Sequence, residues 1–304
     1  MESNPTHITH DFPPFFRVHN TGHIERYINH DFVPASHDHK TDVVSRDVII
    51  LPENNVSARI YTPKIAQDNL KLPLIIYIHG GAFSVQSAFS SLYHNYVNIL
   101  ASRSRSVVVS IEYRLAPEHP IPACYDDSFA VVEWISSHSK AGSGSDPWLN
   151  EHVDFNRVYL AGDSAGANIA HNMIFRAGPR LKISGLILIH PFFGIGKIDK
   201  LWNYICPGTS GNDDFRLNPT ADMDLLSKLG CNRVLVCVAE KDLLKKRGLH
   251  YYEGLRKSDW KGVVELFESA GEEHVFYLFD LFSDGAVALM ERIVGFIDAG
   301  SHGT

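Results

Sequence analysis

Five runs of apolar residues, rich in valine, isoleucine and leucine, limit what this chain can fold into. They cover residues 72–80, 106–115, 157–164, 182–191 and 233–242. None shows the alternation of apolar and polar residues that marks a strand with one solvent-exposed face. Continuous runs of this kind are typical of strands that are buried on both faces in a parallel sheet covered by helices. The sequence therefore predicts a mostly parallel sheet at the centre of the molecule.

Segments with helical periodicity follow or separate these runs. Apolar residues recur at spacings of three and four over residues 91–104, 126–139, 166–178, 245–258 and 284–300. Before the first run, residues 42–64 alternate around a turn, which indicates an antiparallel strand pair. Strands that alternate with helices predict a doubly wound α/β fold. Because no long linker divides the 304 residues, we expect a single domain over residues 1–304.

Composition and charge exclude several classes of function. Hydrophobic residues make up 44% and charged residues 21% of the chain, as in ordinary globular proteins. The formal net charge of −7 argues against binding to nucleic acid. No apolar run is long enough to span a bilayer, and the N-terminus lacks the pattern of a secretory signal. We therefore expect a cytoplasmic protein with no nucleic-acid or membrane partner.

The cysteines give no sign of a metal site. Cys124, Cys206, Cys231 and Cys237 form no CxxC pair, and no cluster of His and Cys residues has the spacing of zinc ligands. Four free thiols are typical of a reducing compartment.

The sharpest local pattern is GDSAG at residues 162–166, which fits G-x-S-x-G. It follows a predicted strand and opens a predicted helix, which is the context that a nucleophilic serine on a tight turn requires. Glycines flank the turn because side chains there would collide with the neighbouring strand and helix. The alternative is a glycine-rich turn that only connects two elements. We predict that Ser164 is a nucleophile.

A second glycine pair follows the first apolar run, in HGGAF at residues 79–83. A serine nucleophile needs hydrogen-bond donors directed at the oxyanion of the tetrahedral intermediate. The backbone N–H groups of Gly80 and Gly81 are candidates, and that of Ala165 would complete the oxyanion hole. Taken alone, HGGAF could be a tight turn at a strand end.

Candidates for the acid and the base come later in the chain. Asp242 follows the last apolar run, where a carboxylate can orient a histidine, although it could also simply cap a helix. His274 is the last histidine before the final predicted helix, although a surface loop histidine is the alternative. The order Ser, Asp, His is the one expected for this architecture. We expect His171 to be packed or solvent-facing, His190 to have a structural role, and Asp163 to support the HGG loop or a neighbouring turn.

Together these segments resemble the hormone-sensitive-lipase-like group of α/β-hydrolases, and more narrowly plant carboxylesterases. The resemblance covers most of the chain and rests on HGGAF, residues 112–127, 146–172, 206–219 and 238–255, and GEEHVFYLF at residues 271–279. It implies the triad Ser164, Asp242 and His274, with the oxyanion hole named above. It also implies a small helical cap from residues 1–30. Ester hydrolysis through an acyl-enzyme is the implied reaction, without metal or organic cofactor.

The same family contains proteins with other functions, and these alternatives stay open. Isoflavanone dehydratases and cyclases of alkaloid biosynthesis resemble this chain and use the site for elimination or cyclisation. Gibberellin receptors also resemble it but lack the triad histidine, which is present here as His274.

The substrate is expected to be a small apolar or aromatic ester. Aromatic side chains suited to such a pocket are Phe83, Tyr113, Phe192, Trp202 and Phe276, with Phe15, Phe16 and Phe193 as further candidates. Ordinary core packing is the alternative for each. Only residues 195–200 separate HPFFG from LWNYICPG, where the resembling family usually has a longer segment that helps to form the cap and pocket. Either the pocket is more open on this side, or a flexible segment is missing from this chain.

Overall fold

A nine-stranded sheet confirms the fold class that the apolar runs predict. The computed structural model describes residues 7–64, 70–139, 144–196 and 199–300. Within these residues the strands are β1 Ile8–Phe12, β2 Phe16–His19, β3 Ile24–Arg26, β4 His37–Asp38, β5 Val43–Leu51, β6 Val56–Pro63, β7 Leu72–Ile78, β8 Val107–Glu112, β9 Val153–Asp163, β10 Gly185–Ile189, β11 Arg233–Ala239 and β12 Val263–Ser269.

The strand order of the large sheet is β12-β11-β10-β9-β7-β8-β6-β5-β4. The six strands from β12 to β8 in this order are parallel, and β6, β5 and β4 continue the sheet antiparallel. Each of the five apolar runs supplies one of the parallel strands, and the sixth is β12. The predicted antiparallel pair over residues 42–64 is β5 and β6. Because parallel strands end at one edge of the sheet, the segments that follow them come together there.

Helices cover both faces of the sheet. They are α1 Ser91–Ser104, α2 Ala123–His138, α3 Pro147–His152, α4 Ala165–Ala177, α5 Lys200–Ile205, α6 Met223–Leu226, α7 Lys245–Lys257 and α8 Asp284–Ala299. Alternate residues of one strand enter different cores: Ile76 belongs to the cluster with α2 and α4, and Ile75 to the cluster with α1 and α8. This two-sided burial explains why the sequence runs show no polar alternation.

The N-terminal segment does not have the predicted helical character. Between residues 7 and 30 the structure contains the three-stranded antiparallel sheet β1-β2-β3 and no helix, while residues 1–6 of the expected cap lie outside the described residues. The Pro13–Pro14 pair, which lies between β1 and β2, disfavours a continuous helix through this segment because proline in a helix interior lacks the backbone donor. The small sheet packs on α5, with the Phe12 and Tyr204 ring centroids 4.8 Å apart. It also contacts the loop after β7, since Arg26 Nε donates to the Ser84 carbonyl at 2.7 Å.

No helix among the described residues combines the length and apolarity needed to cross a membrane. In the short segment 195–200, residues 197 and 198 lie outside the described residues, and α5 begins at its end with Asp199 as N-cap. The extent of the single domain over residues 1–304 stays a prediction.

Candidate active site

Ser164 lies between β9 and α4 in a strained turn, with φ 50° and ψ −116°. Positive φ is uncommon for a non-glycine residue, and such strain is concentrated at functional sites. Gly162 and Gly166 allow the backbone of the turn to approach itself and the end of β7 closely. A Cβ atom at Gly162 would come within 2.5 Å of the Gly166 carbonyl carbon, and one at Gly166 would collide with the Ile78 carbonyl oxygen.

Two backbone hydrogen bonds hold the strained residue from the neighbouring strand. Ser164 N donates to the Ile189 carbonyl at 2.9 Å, and Phe192 N donates to the Ser164 carbonyl at 3.0 Å. Both partners lie at or just beyond the end of β10. The serine itself is 7% exposed, so a substrate would reach its Oγ from one side.

The three residues predicted to act together form one continuous hydrogen-bonded chain. His274 Nε2 lies 3.0 Å from Ser164 Oγ, and His274 Nδ1 lies 2.8 Å from Asp242 Oδ2. Burial alone would raise the pKa of Asp242, but the hydrogen bond and charge of His274 hold that pKa below its usual range. Asp242 is therefore an anion at neutral pH and can only accept hydrogen bonds.

The charge of Asp242 sets the tautomer of His274. Since the carboxylate accepts, Nδ1 carries the proton and Nε2 presents its lone pair to the Ser164 hydroxyl. The other carboxylate oxygen, Oδ1, accepts from Leu244 N at 2.7 Å, which fixes the rotation of the carboxylate. This arrangement allows His274 to remove a proton from Ser164.

His190 supports the histidine loop from the end of β10. Its Nδ1 accepts a hydrogen bond from Val275 N at 2.9 Å, next to His274. Burial lowers the pKa of His190 to about 3, so the ring is neutral and can accept at Nδ1. The sequence predicts a structural role, and this is the contact through which it acts.

Among the described residues, one group of three side chains comes close enough to share a metal ion: His190, Asp242 and His274. Two of these form the chain to Ser164, and Nδ1 of the third is already bonded to Val275 N. An ion held here would compete with the Asp242–His274–Ser164 interaction.

The loop after β7 supplies the candidate oxyanion donors, with one correction. Gly80 N donates to Tyr93 Oη at 2.9 Å, so this N–H is engaged and the sequence prediction for Gly80 is wrong in this respect. Within the described residues, the N–H groups of Gly81 and Ala165 have no protein acceptor, and the same holds for Ala82. Gly81 and Ala165 therefore remain candidates, and Ala82 joins them.

Gly80 is needed for a different reason, which is close packing. A Cβ atom on it would collide with the Asp163 carboxylate, directly before the nucleophile. The loop is fixed from below by Tyr113, whose ring stacks on His79 with centroids 4.2 Å apart. The Tyr113 hydroxyl donates to the His79 carbonyl at 2.9 Å and lies 3.2 Å from that of Gly80.

The aromatic residues predicted to contact substrate divide into two groups. The Phe83 ring meets those of Phe192 and Trp202 edge to face, at centroid distances of 5.7 Å each. Tyr113 instead lies beneath the glycine loop, and Phe276 packs against the His190 ring at 5.9 Å. The first three form an aromatic cluster, which we call the Phe83 cluster. Substrate contact stays a prediction for all five.

The remaining candidates lie in other packing environments. Phe16 is fully buried and contacts Phe12 of the N-terminal sheet, while Phe15 packs at the edge of the core. Phe193 packs edge to face on His171. His171 is neutral because burial lowers its pKa to about 3.

Sequence reasoning missed Tyr93, which bonds the glycine loop. Nothing in the sequence separates this tyrosine from others on an apolar helix face, because its partners come from β7 and β9.

Comparisons with known proteins concern the fold and the family of the chain. The chain matches the family described as alpha/beta hydrolase fold over residues 75–197 and 192–278. It is 43% identical to probable carboxylesterase 5 of Arabidopsis thaliana, over 98% of this chain and 99% of that protein. It is 42% identical to 2-hydroxyisoflavanone dehydratase of Glycyrrhiza echinata, over 95% and 96%. The hyperthermophilic esterase of the archaeon Pyrobaculum calidifontis superposes with a TM-score of 0.66 at 27% identity, covering 84% of this chain and 86% of that one.

Proposed function

The chain belongs to the α/β-hydrolase family, and from this premise we propose that it is a serine carboxylesterase with Ser164, His274 and Asp242 as its triad. The observation that carries the proposal is the hydrogen-bonded chain from Ser164 Oγ through both nitrogens of His274 to Asp242. Relatives named carboxylesterase align with nearly the whole chain, which supports ester hydrolysis as the reaction.

Acylation begins when His274 Nε2 takes the proton of Ser164 as Oγ attacks the ester carbonyl. The imidazolium that forms carries protons on both nitrogens and is stabilised by the Asp242 carboxylate. The oxyanion lies where free backbone N–H groups can reach it, with Gly81, Ala82 and Ala165 as donors. His274 then gives its Nε2 proton to the departing alcohol, which leaves an acyl-serine.

Deacylation repeats these steps with water. His274 takes a proton from a water molecule as it attacks the acyl carbonyl, and returns that proton to Ser164 Oγ when the acid leaves. Every proton passes through Nε2, so the reaction depends on the tautomer that Asp242 sets.

The substrate is a small apolar or aromatic ester. The Phe83 cluster supports this choice because Phe83 follows the glycine loop directly, and Phe192 donates its backbone N–H to the Ser164 carbonyl. Aromatic walls close to a nucleophile favour apolar acyl or alcohol groups. A cytoplasmic location is supported by four buried cysteines that are all free thiols, as expected in a reducing compartment.

A dehydratase is the second candidate, because one relative at 42% identity bears that name. In such a reaction His274 would remove a proton from carbon instead of from Ser164. A receptor function is disfavoured, because the proton path between Ser164 and His274 is complete.

The test is the variant Ser164→Ala with p-nitrophenyl butyrate as substrate. We expect kcat to fall by at least about 10³-fold, since loss of one triad member removes nucleophilic catalysis. A fluorophosphonate probe should add its mass to the wild type and not to the variant. If the variant retained hydrolysis within about tenfold of the wild type, nucleophilic attack by Ser164 would be excluded. A wild type that takes up the probe but turns over no ester would favour the dehydratase, and one that does neither would favour the receptor.

A further inference from the structure

A carboxylate that takes no part in the triad is buried directly beside the nucleophile. Asp163 precedes Ser164 and is 1% exposed. Its Oδ1 accepts from Tyr77 Oη and its Oδ2 from Tyr93 Oη, both at 2.8 Å. Burial raises the pKa of Asp163 to about 6, and the two tyrosine hydrogen bonds oppose that rise. Burying a carboxylate costs free energy, and a fully hydrogen-bonded buried network makes the local structure rigid.

The hydroxyl of Tyr93 connects this carboxylate to the glycine loop. It accepts from Gly80 N at 2.9 Å and donates to Asp163 Oδ2. A hydroxyl has one proton, and an ionised carboxylate can only accept. The Tyr93 proton therefore points at Asp163, and its lone pair is left facing the Gly80 N–H. Asp163 therefore sets the direction of both hydrogen bonds in the relay that runs from Asp163 through Tyr93 to Gly80.

Packing holds the same three groups together. A Cβ atom at Gly80 would collide with Asp163 Oδ2 and come within 3.0 Å of Tyr93 Oη. The loop backbone thus lies directly on the carboxylate and the hydroxyl, with no room for a side chain between them. Residue 80 is anchored from α1 and from the end of β9, and the next residues, Gly81 and Ala82, are the free donors.

We infer that Tyr93 and Asp163 are positioning residues for the oxyanion hole. The hydrogen-bonded relay Asp163–Tyr93–Gly80 fixes the position of the loop relative to Ser164. The N–H groups after Gly80 are thereby placed to donate to the oxyanion of the transition state. This inference rests on the proposed esterase function. It assigns no reacting role to either side chain, because both act through Gly80.

Two tyrosines of the same helix provide a matched test. Tyr93→Phe removes the hydroxyl that holds Gly80. Tyr96→Phe makes the same change one turn away, at a side chain that is equally buried, at 2% exposure. Among the described residues, the Tyr96 hydroxyl has no hydrogen-bond partner. A merely structural role of the tyrosine cluster would make the two variants behave alike.

The expected result is weaker binding of the transition state with unchanged binding of the substrate. With p-nitrophenyl butyrate, Y93F should lower kcat by roughly tenfold to a hundredfold, less than the loss of a complete oxyanion donor, with KM within about twofold of the wild type. A trifluoromethyl ketone, whose adduct with Ser164 places an oxyanion in the hole, should lose affinity by a similar factor. Y96F should leave both quantities within about twofold of the wild type. Equal losses in the two variants, or a loss carried by KM, would overturn the inference.

Hydrogen exchange keeps the test independent of turnover. The amides of residues 79–83 should exchange faster in Y93F than in Y96F, measured by mass spectrometry on the covering peptide. If the wild type hydrolyses no ester and binds no ketone, the proposed function fails, and the exchange result still decides whether Tyr93 holds the loop. Unchanged exchange in Y93F would contradict the relay.

Asp163→Asn is the second variant for this test and replaces Y93F if that variant does not fold. Its amide nitrogen faces one of the two tyrosines, and that hydroxyl loses its acceptor whichever way the amide turns. We expect a smaller fall in kcat than in Y93F at unchanged KM, with faster exchange over the same residues. A D163N protein with wild-type kcat and exchange would show that the carboxylate does not set the relay.

Discussion

Replacing Asp242 by asparagine tests the triad at its most specific point, which is the tautomer of His274. Oδ1 of Asp242 accepts from Leu244 N at 2.7 Å, and Oδ2 faces His274 Nδ1 at 2.8 Å. In Asp242→Asn the amide oxygen should keep the Leu244 bond, because the amide nitrogen cannot accept. The nitrogen then faces His274 and donates to Nδ1. This moves the ring proton to Nε2, where it blocks proton transfer from Ser164.

The size of the effect follows from charge and tautomer together. The attraction between the imidazolium and the Asp242 carboxylate, at about 4 Å and an effective dielectric constant of about 20, is about 4 kcal/mol. Restoring the active tautomer disrupts one neutral hydrogen bond, at about 1 kcal/mol. The combined barrier increase lowers kcat by roughly 10³-fold to 10⁴-fold. KM should change little, since neither quantity concerns substrate binding.

Steady-state kinetics with p-nitrophenyl butyrate measures this loss. The control is Asp222→Asn, which makes the same exchange at the N-cap of α6, where the side chain accepts from Leu225 N. It should retain wild-type kcat. If D242N stayed within about tenfold of the wild type, the Asp242 side chain would serve only to accept from Leu244 N, because the amide oxygen of asparagine can accept that bond equally well.

Two groups, the half-buried Glu112 and the buried His171, predict opposite dependences of stability on pH. Burial raises the pKa of Glu112 to about 7, so the folded state binds more protons above the usual range of a glutamate and stability falls as pH rises towards 7. Glu112→Gln should remove this slope of up to about 1.4 kcal/mol per pH unit, measured by urea unfolding between pH 5 and 8. An unchanged slope would contradict the raised pKa of Glu112. Burial lowers the pKa of His171 to about 3, so the unfolded state binds more protons and stability falls as pH drops below 6.5. In the same assay, His171→Leu should reduce the slope of the unfolding free energy between pH 6 and 4, again by up to about 1.4 kcal/mol per pH unit. A variant whose stability falls with acid as steeply as that of the wild type would refute this.

The parallel sheet and the nucleophile turn were readable from the sequence because each depends on local pattern. Two-sided burial produces continuous apolar runs, and the collision of a Cβ atom at residue 166 with Ile78 demands glycine there. The helical cap that the resemblance implies is wrong for residues 7–30, where the Pro13–Pro14 pair interrupts any continuous helix.

The engagement of Gly80 could not be read from the sequence. HGGAF offers several backbone donors, and nothing local says which of them is already bonded. The answer depends on Tyr93, whose hydroxyl reaches Gly80 only after α1 packs against the sheet. The same is true of Phe83, Phe192 and Trp202, which meet from three separate segments, whereas Tyr113 and Phe276 point to other partners. Contacts between distant segments decide these roles, and periodicity carries no information about them.

β10 contributes no reacting group, but it lies between β9, which leads to Ser164, and β11, which leads to Asp242, and it links the two. β10 ends at Ile189, whose carbonyl accepts from Ser164 N, and the next residue, His190, accepts from Val275 N beside His274. His190 N in turn donates to the Cys237 carbonyl at 2.8 Å, on β11, the strand that leads to Asp242. The segments of the nucleophile and the orienting acid are thus tied to one strand end by backbone hydrogen bonds, and the segment of the base is tied to it through the His190 side chain. The 3.0 Å between Ser164 Oγ and His274 Nε2 is therefore set by the register of β10 between β9 and β11. The backbone at the end of β10 and the His190 side chain together hold the segments that carry the triad before a substrate arrives.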